Sequence, residues 1–459
     1  MTISDSAATG VEAFGYKQEL KRSLSLLDLL VYGLVFIVPG APIAVFGIVY
    51  NASAGMVPLI YIVGLIAMIF TALSYMAMSR AFPIAGSVYT YAARSLGPLA
   101  GFVSGWAILL DYLLIPTLTY VACAIAMHTT LPSVPKPVWV ILLLTLATVI
   151  NYFGIETTAR MNIAMLGLQL VILAIFMAVG VYALSHHVAG AHLSLTPFYN
   201  PHMLTPHLVF GALSLAVLSF LGFDAISTLS EETHGGPRAV SHATMLSLCL
   251  SAFLFVAQTY LASLFVLGHA AFAHGDRTNA AFYDIATMIG GYPLKFLLAV
   301  PGVLFAGIAG ALTAQAATAR LLYGMARDGK LPRALAHVDA RRKVPDRAIF
   351  LIAGVTLVLG IWLVDQLELL TSMVSFGALV GFLMLHLSVM AHFLWHQKSR
   401  SWGRHLLTPA FGLIIIVYVL FNAQVDAKIA GAVWMSAGLV LYLVLKLSGR
   451  STALPVDVS

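Results

Sequence analysis

The residues of this sequence best suited to chemistry are carboxylates placed inside long apolar runs. Asp224 ends an apolar run that begins near Leu208, and Asp111 lies in the middle of another run. An acid at bilayer depth costs roughly 2.5–3.5 kcal/mol on insertion scales, so such a residue normally faces a polar cavity or a partner. A shielded carboxylate can bind an ammonium group or carry a proton, and both uses are open for these two acids.

The backbone beside Asp224 is predicted to leave helical geometry. The stretch Phe220-Leu221-Gly222-Phe223-Asp224 places a conformationally permissive glycine inside the apolar run. Asp224 could cap a half-helix that restarts after this glycine. Non-helical backbone at membrane depth survives only where it is buried in protein or lines a cavity. We therefore predict a broken helix beside a small polar site, with Phe220, Gly222, Phe223 and Asp224 as substrate-binding residues.

A second interruption lies in the first apolar run, at Val38-Pro39-Gly40-Ala41-Pro42. Its two prolines remove backbone donors and disfavour helix at the residues before them. The stretch predicts either a proline kink or a second broken helix. We favour the break, because interrupted segments at matching positions of two halves of a chain point to a site between them. Val38, Pro39, Gly40 and Ala41 are then candidate substrate-binding residues.

The surroundings of Asp111 suggest a seat for a cation. Pro116 cannot donate to the carbonyl of Tyr112, which leaves that oxygen free for another donor. A free carbonyl beside a carboxylate would suit an ammonium group, so Asp111 and Tyr112 are candidate binding residues. Alternatively, Asp111 only bonds a neighbouring helix. Phe376, in the small polar stretch 375–378, is a further candidate to face the cavity.

Proton coupling would need an acid that titrates inside the protein. Asp224 and Glu231 are seven residues apart, close to two helical turns, so both fall on nearly one helix face. Burial disfavours the charged form of an acid, which would let it take up and release a proton. Asp224, Asp111 and Glu231 are the proton-coupling candidates. The alternatives are that Asp224 only caps the half-helix and that Glu231 pairs with a cytoplasmic arginine.

The composition predicts an all-α membrane protein. Of 459 residues, 60% are hydrophobic and 9% are charged, against about 25% charged in soluble domains. Runs of about 20 apolar residues can span a bilayer. We place about 12 such transmembrane helices, with helices 1 and 6 broken, near residues 26–50, 57–79, 98–127, 136–153, 161–184, 207–231, 241–268, 293–322, 348–365, 369–394, 407–423 and 427–446.

The distribution of basic residues predicts the topology. With the N-terminus inside, 20 of the 24 lysines and arginines fall in inner segments, as the positive-inside rule requires. Both termini are then cytoplasmic, in the cell inner (plasma) membrane. The tails are 1–24 and 447–459, and one transmembrane domain covers 25–446. Its first repeat covers about 25–185, its second about 207–394, and two further helices lie in 407–446.

Several function classes are excluded by what the sequence lacks. Cys123 and Cys249 lie in apolar runs and show no metal spacing, and no histidine ligand pattern occurs, so no metal and no cofactor are expected. Membrane topology explains the net charge of +6 without a nucleic-acid partner. An enzyme would need a nucleophile–base set, and a channel repeated rings of one polar residue type. Neither pattern is present.

Three segments resemble the amino acid–polyamine–organocation (APC) superfamily. They are 220–232, the loop Phe82-Pro83-Ile84-Ala85-Gly86-Ser87, and the stretch Arg320 to Pro332, which is the most specific. The likeness covers nearly the whole chain and looks most like bacterial putrescine importers. It implies a five-plus-five inverted repeat, alternating access, and a site between helices 1, 3, 6, 8 and 10.

Two departures from the family pattern bear on the substrate. Amino-acid-carrying relatives usually have a Gly/Ser-rich break in helix 1, and the prolines here leave fewer amides for a carboxylate. Some putrescine importers carry an acid just past that break, where this chain has Ala44. Gln169 stands about where several proton-coupled relatives have a lysine.

The function expected is a secondary transporter that imports a cationic amine, putrescine- or polyamine-like, or an amino acid. A proton, or else sodium, would be the coupling ion, and membrane lipid the other partner. The alternative is an amino acid permease or exchanger for neutral or cationic amino acids.

Overall fold

The computed structural model describes residues 12, 18–130, 133–269, 271–273, 276–423 and 425–447. Across these residues the secondary structure is helical, apart from one isolated β-bridge between Leu24 and Thr233. Fifteen α-helices lie in these ranges: α1 Leu26–Ile37, α2 Ala41–Ala52, α3 Val57–Ala81, α4 Val88–Ser95, α5 Pro98–Thr130, α6 Lys136–Tyr152, α7 Ile155–Ser185, α8 Pro206–Ala216, α9 Gly236–Ser263, α10 Asp276–Leu297, α11 Val303–Arg327, α12 Asp346–Trp362, α13 Leu367–Met390, α14 Thr408–Phe421 and α15 Val425–Leu447.

These helices make an integral membrane protein. Eight of the described helices are long and apolar enough to cross a membrane, or ten if each of two bent pairs is one span. Large apolar side chains such as Leu142, Val171, Phe253 and Ile414 are exposed on the outer faces of α6, α7, α9 and α14. Among the described residues these faces are left uncovered, so they suit lipid. Most of the predicted tails 1–24 and 447–459 lies outside the described residues.

The first bent pair is α1 and α2, whose axes differ by 43°. Ser25 and Asp28 form a capping box at the start of α1, which satisfies orphan N–H groups there. The helix ends where Val38 takes a left-handed backbone with φ 61°, and Pro42 stands in the first turn of α2. A β-branched residue with positive φ is a strained outlier, and such strain clusters at functional sites.

The second bent pair joins α8 to two 3₁₀ segments, Val217–Phe220 and Phe223–Glu232, with a bend of 48°. Gly222 between them has φ 116°, a backbone that only glycine adopts without strain. A ten-residue 3₁₀ segment is unusually long. Its hydroxyls explain the tighter winding, because Ser227, Thr228 and Ser230 each donate to the carbonyl three residues earlier.

The central helix of the bundle is α5, which packs against α13, α11, α4 and α6 and carries Pro116 inside it. Its partner α11 presents a run of buried small residues, Ala309, Ala311, Ala314 and Ala317. Small residues let helices approach closely in membranes, where dispersion contacts drive helix association. The most extensive contact between two of the described helices is that of α3 with α9, and both also contact the Phe223–Glu232 segment.

Two described helical segments lie outside the twelve predicted spans. Residues 276–290, between the seventh and eighth of those spans, form the first part of α10, which turns at Gly290 and Gly291 before continuing. Residues 88–95, between the second and third spans, form α4, which packs along α5. Both segments are too short or too polar to be recognised as spans, and tertiary packing stabilises them.

Gly222 provides a test of the second break. Replacement by alanine should destabilise the protein by more than the roughly 1–2 kcal/mol that a left-handed residue costs, because the added methyl group would also collide with Phe36. Gly236→Ala is the matched control: its φ is 62° and nothing lies within 4 Å of the added atom. In detergent, Gly236→Ala should unfold at a clearly higher temperature than Gly222→Ala. Equal decreases in the unfolding temperature of the two variants would contradict the contact between Gly222 and Phe36.

Candidate substrate-binding site

The two interrupted segments lie against each other. A methyl group on Gly222 would contact the ring of Phe36 and lie 3.0 Å from its carbonyl carbon. Phe36 is the residue before the last in α1, so the end of α1 touches the turn after α8. Gly310 of α11 lies beside them, where an added methyl group would be 3.6 Å from Val38 Cγ2. Helices 1, 6 and 8 of the predicted spans therefore meet at one place.

Asp224 is buried at this meeting point, with 1% of its surface exposed. Its Oδ2 accepts a hydrogen bond of 2.5 Å from the Tyr112 hydroxyl, and its Oδ1 accepts one of 3.2 Å from the Gly222 N–H. The residue at the N-cap of the Phe223–Glu232 segment is Gly222, and Asp224 lies in the first turn. The carboxylate accepts from the N–H of this N-cap residue, so a capping role for Asp224 stays a prediction beside that of proton carrier.

Asp111 lies one residue before Tyr112 on α5 and is also 1% exposed. Its Oδ1 is buried without a hydrogen-bond partner among the residues that the structure describes. Gly377 of α13 packs on this part of α5, because an added methyl group would lie 2.8 Å from the Asp111 nitrogen. A buried acid that lacks a donor strongly favours a cation or a proton as its partner. Within the described ranges, Oδ1 therefore does not form the hydrogen bond to a neighbouring helix that was the predicted alternative.

The carbonyl of Tyr112 is already occupied. Pro116 frees this oxygen from the α5 ladder as predicted, but the Thr318 hydroxyl of α11 donates to it at 2.7 Å. The expectation of a free Tyr112 carbonyl beside the carboxylate is therefore wrong. Thr318 lies in the small-residue stretch of α11 that packs against α5. This packing brings its hydroxyl to the Tyr112 carbonyl and satisfies that oxygen. Tyr112 remains in the site through its hydroxyl, on Asp224.

The break in the first span offers few amide donors. Its two prolines carry no N–H, and the Ala41 N–H donates to the Val38 carbonyl at 2.8 Å. The Pro39 carbonyl accepts from Gln258 Nε2 of α9, also at 2.8 Å. Val38, Gly40 and Ala41 are partly exposed while Pro39 is buried. The break thus presents apolar surface and little to hold a carboxylate.

The predicted aromatic residues lie in three different packing environments. Phe220 packs against Tyr61, with ring centroids 5.9 Å apart. Phe223 packs edge-on against Tyr75, 6.0 Å away. The Phe376 ring lies on the backbone of Gly431 in α15. Phe220 and Phe223 flank Gly222 in the sequence, and a direct contact of each of the three rings with substrate remains a prediction.

Glu231 is held in an ion pair. Its carboxylate accepts from Arg327 Nη2 at 2.9 Å and Nη1 at 3.1 Å, and from the Ala85 N–H at 2.9 Å. The bidentate geometry is the strong form of this interaction. The structure thus shows the arginine partner that the sequence left as an alternative. Glu231 thus already has an arginine and a backbone N–H as partners, whereas Asp111 Oδ1 has no partner among the described residues.

A second ion pair beside it was not foreseen. Glu232 pairs with Arg320 through two guanidinium nitrogens, and the two side chains are 0% and 3% exposed. Arg320 also donates to the Ala316 carbonyl within α11. The sequence offered a signal for this pair. Arg320 follows an apolar run and needs an acidic partner, and Glu232 was an acid with no partner predicted for it. The pair ties the end of the Phe223–Glu232 segment to α11.

Residues 18–24, termed the N-terminal strap, cross this same end. The N–H groups of Ser23 and Leu24 donate to the Glu232 carbonyl, both at 3.0 Å, and Gln18 Nε2 donates to the Glu231 carbonyl at 3.0 Å. The Tyr323 hydroxyl donates to Glu19. Every residue from Phe223 to Glu232 is buried, whereas Ala44, at the α2 end, is exposed. The strap and the two ion pairs therefore close this end of the bundle.

Gln169 and Asn162 leave polar atoms unpaired on α7. Gln169 Nε2 donates to the Phe305 carbonyl at 3.3 Å, but its Oε1 has no partner within the described part of the chain. Both side-chain polar atoms of Asn162 also lack a hydrogen-bond partner there.

Among the described residues, no group of three or more His, Cys, Asp or Glu side chains is placed to hold a metal ion.

Comparison with known proteins gives consistent matches over nearly the full length. The amino acid permease family model matches residues 29–445. The chain is 31% identical to the low-affinity putrescine importer PlaP of Escherichia coli over 432 residues, which covers 92% of this chain and 93% of that protein. It is 24% identical to the branched-chain amino acid permease BcaP of Bacillus subtilis, over 94% of each chain. It is also 26% identical to the methylthioribose transporter of Bacillus subtilis, over 93% of each.

Proposed function

The chain belongs to the amino acid permease family, and from that premise we propose that it is a secondary transporter that imports a cationic amine, putrescine- or polyamine-like. It is a permease and not an enzyme. The observation that carries the choice of substrate is Asp111: a buried carboxylate whose Oδ1 lacks a partner among the described residues. An ammonium group supplies both the charge and the donors that this oxygen needs.

The arrangement proposed in the membrane has twelve spans in two inverted repeats. Two observations support it: the bends of 43° and 48° fall in the first and sixth predicted spans, and broken helices at matching positions are typical of inverted-repeat transporters. The 17-residue helices α6 and α12 reach the lower limit for a span and would complete the count. Repeat one is then about 25–185 and repeat two about 207–394, with both termini in the cytoplasm of the cell.

Alternating access in this proposal starts from a conformation closed at the cytoplasmic end. The N-terminal strap, Glu231–Arg327 and Glu232–Arg320 all lie at the end that the positive-inside distribution assigns to the cytoplasm. Substrate would enter from the α2 end, where Val38, Gly40 and Ala41 are partly exposed. Release inside then requires both ion pairs and the strap to separate.

Proton coupling is proposed to use Asp224 and Asp111. The Tyr112 hydroxyl contacts Asp224 while its backbone follows Asp111, so the two acids flank one tyrosine. Two buried carboxylates so placed cannot both be charged without cost, and a proton or a substrate cation relieves that cost. Import of a cation with a proton would then follow from successive occupation of the two acids.

The second candidate is an amino acid permease or exchanger. The similarity to a branched-chain amino acid permease favours it, as does the exposed Ala44 where some putrescine importers have an acid. The scarcity of amides at the first break argues against it, because an α-carboxylate needs donors.

Asp111 gives the direct test of the substrate class. Asp111→Asn should weaken putrescine binding to purified protein by at least tenfold, about 1.4 kcal/mol or more, because the neutral amide can accept a hydrogen bond from an ammonium group but cannot form an ion pair with it. Asp284→Asn is the control, since that acid is 59% exposed and beside Lys295. Isothermal titration would measure both. Unchanged affinity in Asp111→Asn would contradict the assignment.

A further inference from the structure

The connection between α13 and α14, residues 391–407, has an unusual charge pattern. It contains Lys398, Arg400 and Arg404, all exposed, together with three histidines. The sequence has no acidic residue between Glu368 and Asp426. We refer to residues 391–407 as the basic connection. Its positive charge has no counter-charge nearby in the chain.

The cations of the basic connection are also unpaired in space. Within the ranges that the structure describes, none of its lysine or arginine side chains makes an ion pair. The other long basic segment, 333–347, contains two acids of its own. There Arg342 lies 3.8 Å from Asp339 and His337 lies 2.7 Å from Asp346. The basic connection contains no acid, so an external anion would have to supply its counter-charge.

Aromatic residues place the basic connection at the membrane surface. Trp395 and Trp402 are 76% and 63% exposed, and tryptophan concentrates where apolar lipid meets headgroups. Trp402 lies within four residues of the lysine and both arginines, and Trp395 lies within five residues of Lys398 and Arg400. Rings and cations thus occur together, at the depth where a lipid presents its phosphate.

The basic connection is held in a defined shape. The His405 ring stacks on Phe393 with centroids 4.1 Å apart, and its Nδ1 lies 2.8 Å from the Ser399 hydroxyl. The Ser399 N–H donates to the Phe393 carbonyl at 2.8 Å. The start of α14 is thereby folded back on the end of α13, which keeps the three cations in one short turn.

Its position in the bundle is at the closed end. The His392 ring lies 4.7 Å from that of Phe82, at the end of α3 and three residues before Ala85, whose N–H binds Glu231. Under the proposed topology this end faces the cytoplasmic leaflet, which carries the anionic lipids that attract clustered basic residues.

We propose that the basic connection binds the headgroup of an anionic phospholipid. Lys398, Arg400 and Arg404 would contact the phosphate and the headgroup's negative charge, with arginine supplying paired donors. Trp395 and Trp402 would lie among the adjoining acyl chains. The inference rests on the topology proposed above and is independent of the substrate that the protein transports.

Brominated lipids test this inference in the full-length protein. Nanodiscs of one composition, with about a fifth phosphatidylglycerol in phosphatidylcholine, are prepared twice. The bromine is on the phosphatidylglycerol in one sample and on an equal amount of phosphatidylcholine in the other. Bromine quenches tryptophan on contact. The signal of Trp395 and Trp402 is obtained by subtracting that of a Trp395→Phe/Trp402→Phe variant.

Brominated phosphatidylglycerol should quench these two tryptophans at least about twofold more than brominated phosphatidylcholine. Lys398→Gln/Arg400→Gln/Arg404→Gln should remove the difference. Arg341→Gln/Lys343→Gln/Arg347→Gln, which removes three exposed cations from the other basic segment, should retain it. Equal quenching in the unmodified protein would overturn the inference, as would equal loss in both triple variants. Competition by inorganic phosphate at constant ionic strength would overturn the assignment to lipid.

Discussion

Asp224→Asn should leave substrate exchange intact and abolish uphill uptake driven by a pH gradient. Asparagine can still accept a hydrogen bond from the Gly222 N–H through its carbonyl oxygen, and its NH₂ group, in place of Oδ2, can donate to the oxygen of the Tyr112 hydroxyl. It cannot take up a proton. If protonation of Asp224 couples the gradient to transport, the variant moves substrate only down its own gradient. The expected loss is complete for accumulation and small for exchange.

Proteoliposomes separate these two activities. Exchange is measured with labelled substrate outside and unlabelled substrate inside, and accumulation with an acidic exterior and no internal substrate. Tyr112→Phe is the matched variant, because it removes the 2.5 Å donor and keeps the acid; it should slow transport but still concentrate substrate. Normal accumulation by Asp224→Asn would show that another group carries the proton, and Asp111 would become the candidate.

The buried ion pair at the closed end should have the largest effect on stability. Glu232→Ala should destabilise the protein by about 3–5 kcal/mol, because it leaves the arginine charge buried and unpaired. Arg320 is only 3% exposed, so it cannot reach water without rearrangement. Replacing both partners by methionine should be neutral or stabilising, since apolar pairs of similar volume often match a buried pair.

Thermal unfolding in detergent would compare these variants with Asp365→Ala. That control breaks an exposed pair with Lys136, whose partner acid is 72% exposed, and surface pairs are worth about 0–1 kcal/mol. We expect Glu232→Ala to be the least stable of these proteins. Asp365→Ala should be nearly as stable as the unmodified protein. A Glu232→Ala variant as stable as Asp365→Ala would mean that Arg320 finds another partner or reaches solvent.

The sequence predicted the parts of this molecule that depend on local pattern. Each of the twelve apolar runs overlaps at least one of the described helices. The backbone leaves helical geometry at Val38 and Gly222, two positions chosen from proline and glycine placement. Runs of apolar residues and backbone-restricting residues act locally, so their consequences can be derived without the fold.

The parts that could not be predicted depend on contacts between distant residues. The Thr318 hydroxyl occupies the Tyr112 carbonyl from 206 positions away, and the Tyr112 hydroxyl reaches Asp224 across 112 positions. Helix register decides both contacts, and a hydropathy pattern does not specify register. The N-terminal strap has no apolar periodicity that would predict its position. It is held by hydrogen bonds to the backbone carbonyl of Glu232, which is more than 200 positions away.

The measurement that tests the central claim most directly is uptake of labelled putrescine by the purified protein in liposomes with an imposed pH gradient. With the exterior acidic, the protein should concentrate putrescine, and collapsing the gradient should abolish accumulation. Excess unlabelled monoamine should compete and excess leucine should not. Accumulation of leucine without uptake of any cationic amine would contradict the assignment and favour an amino acid permease.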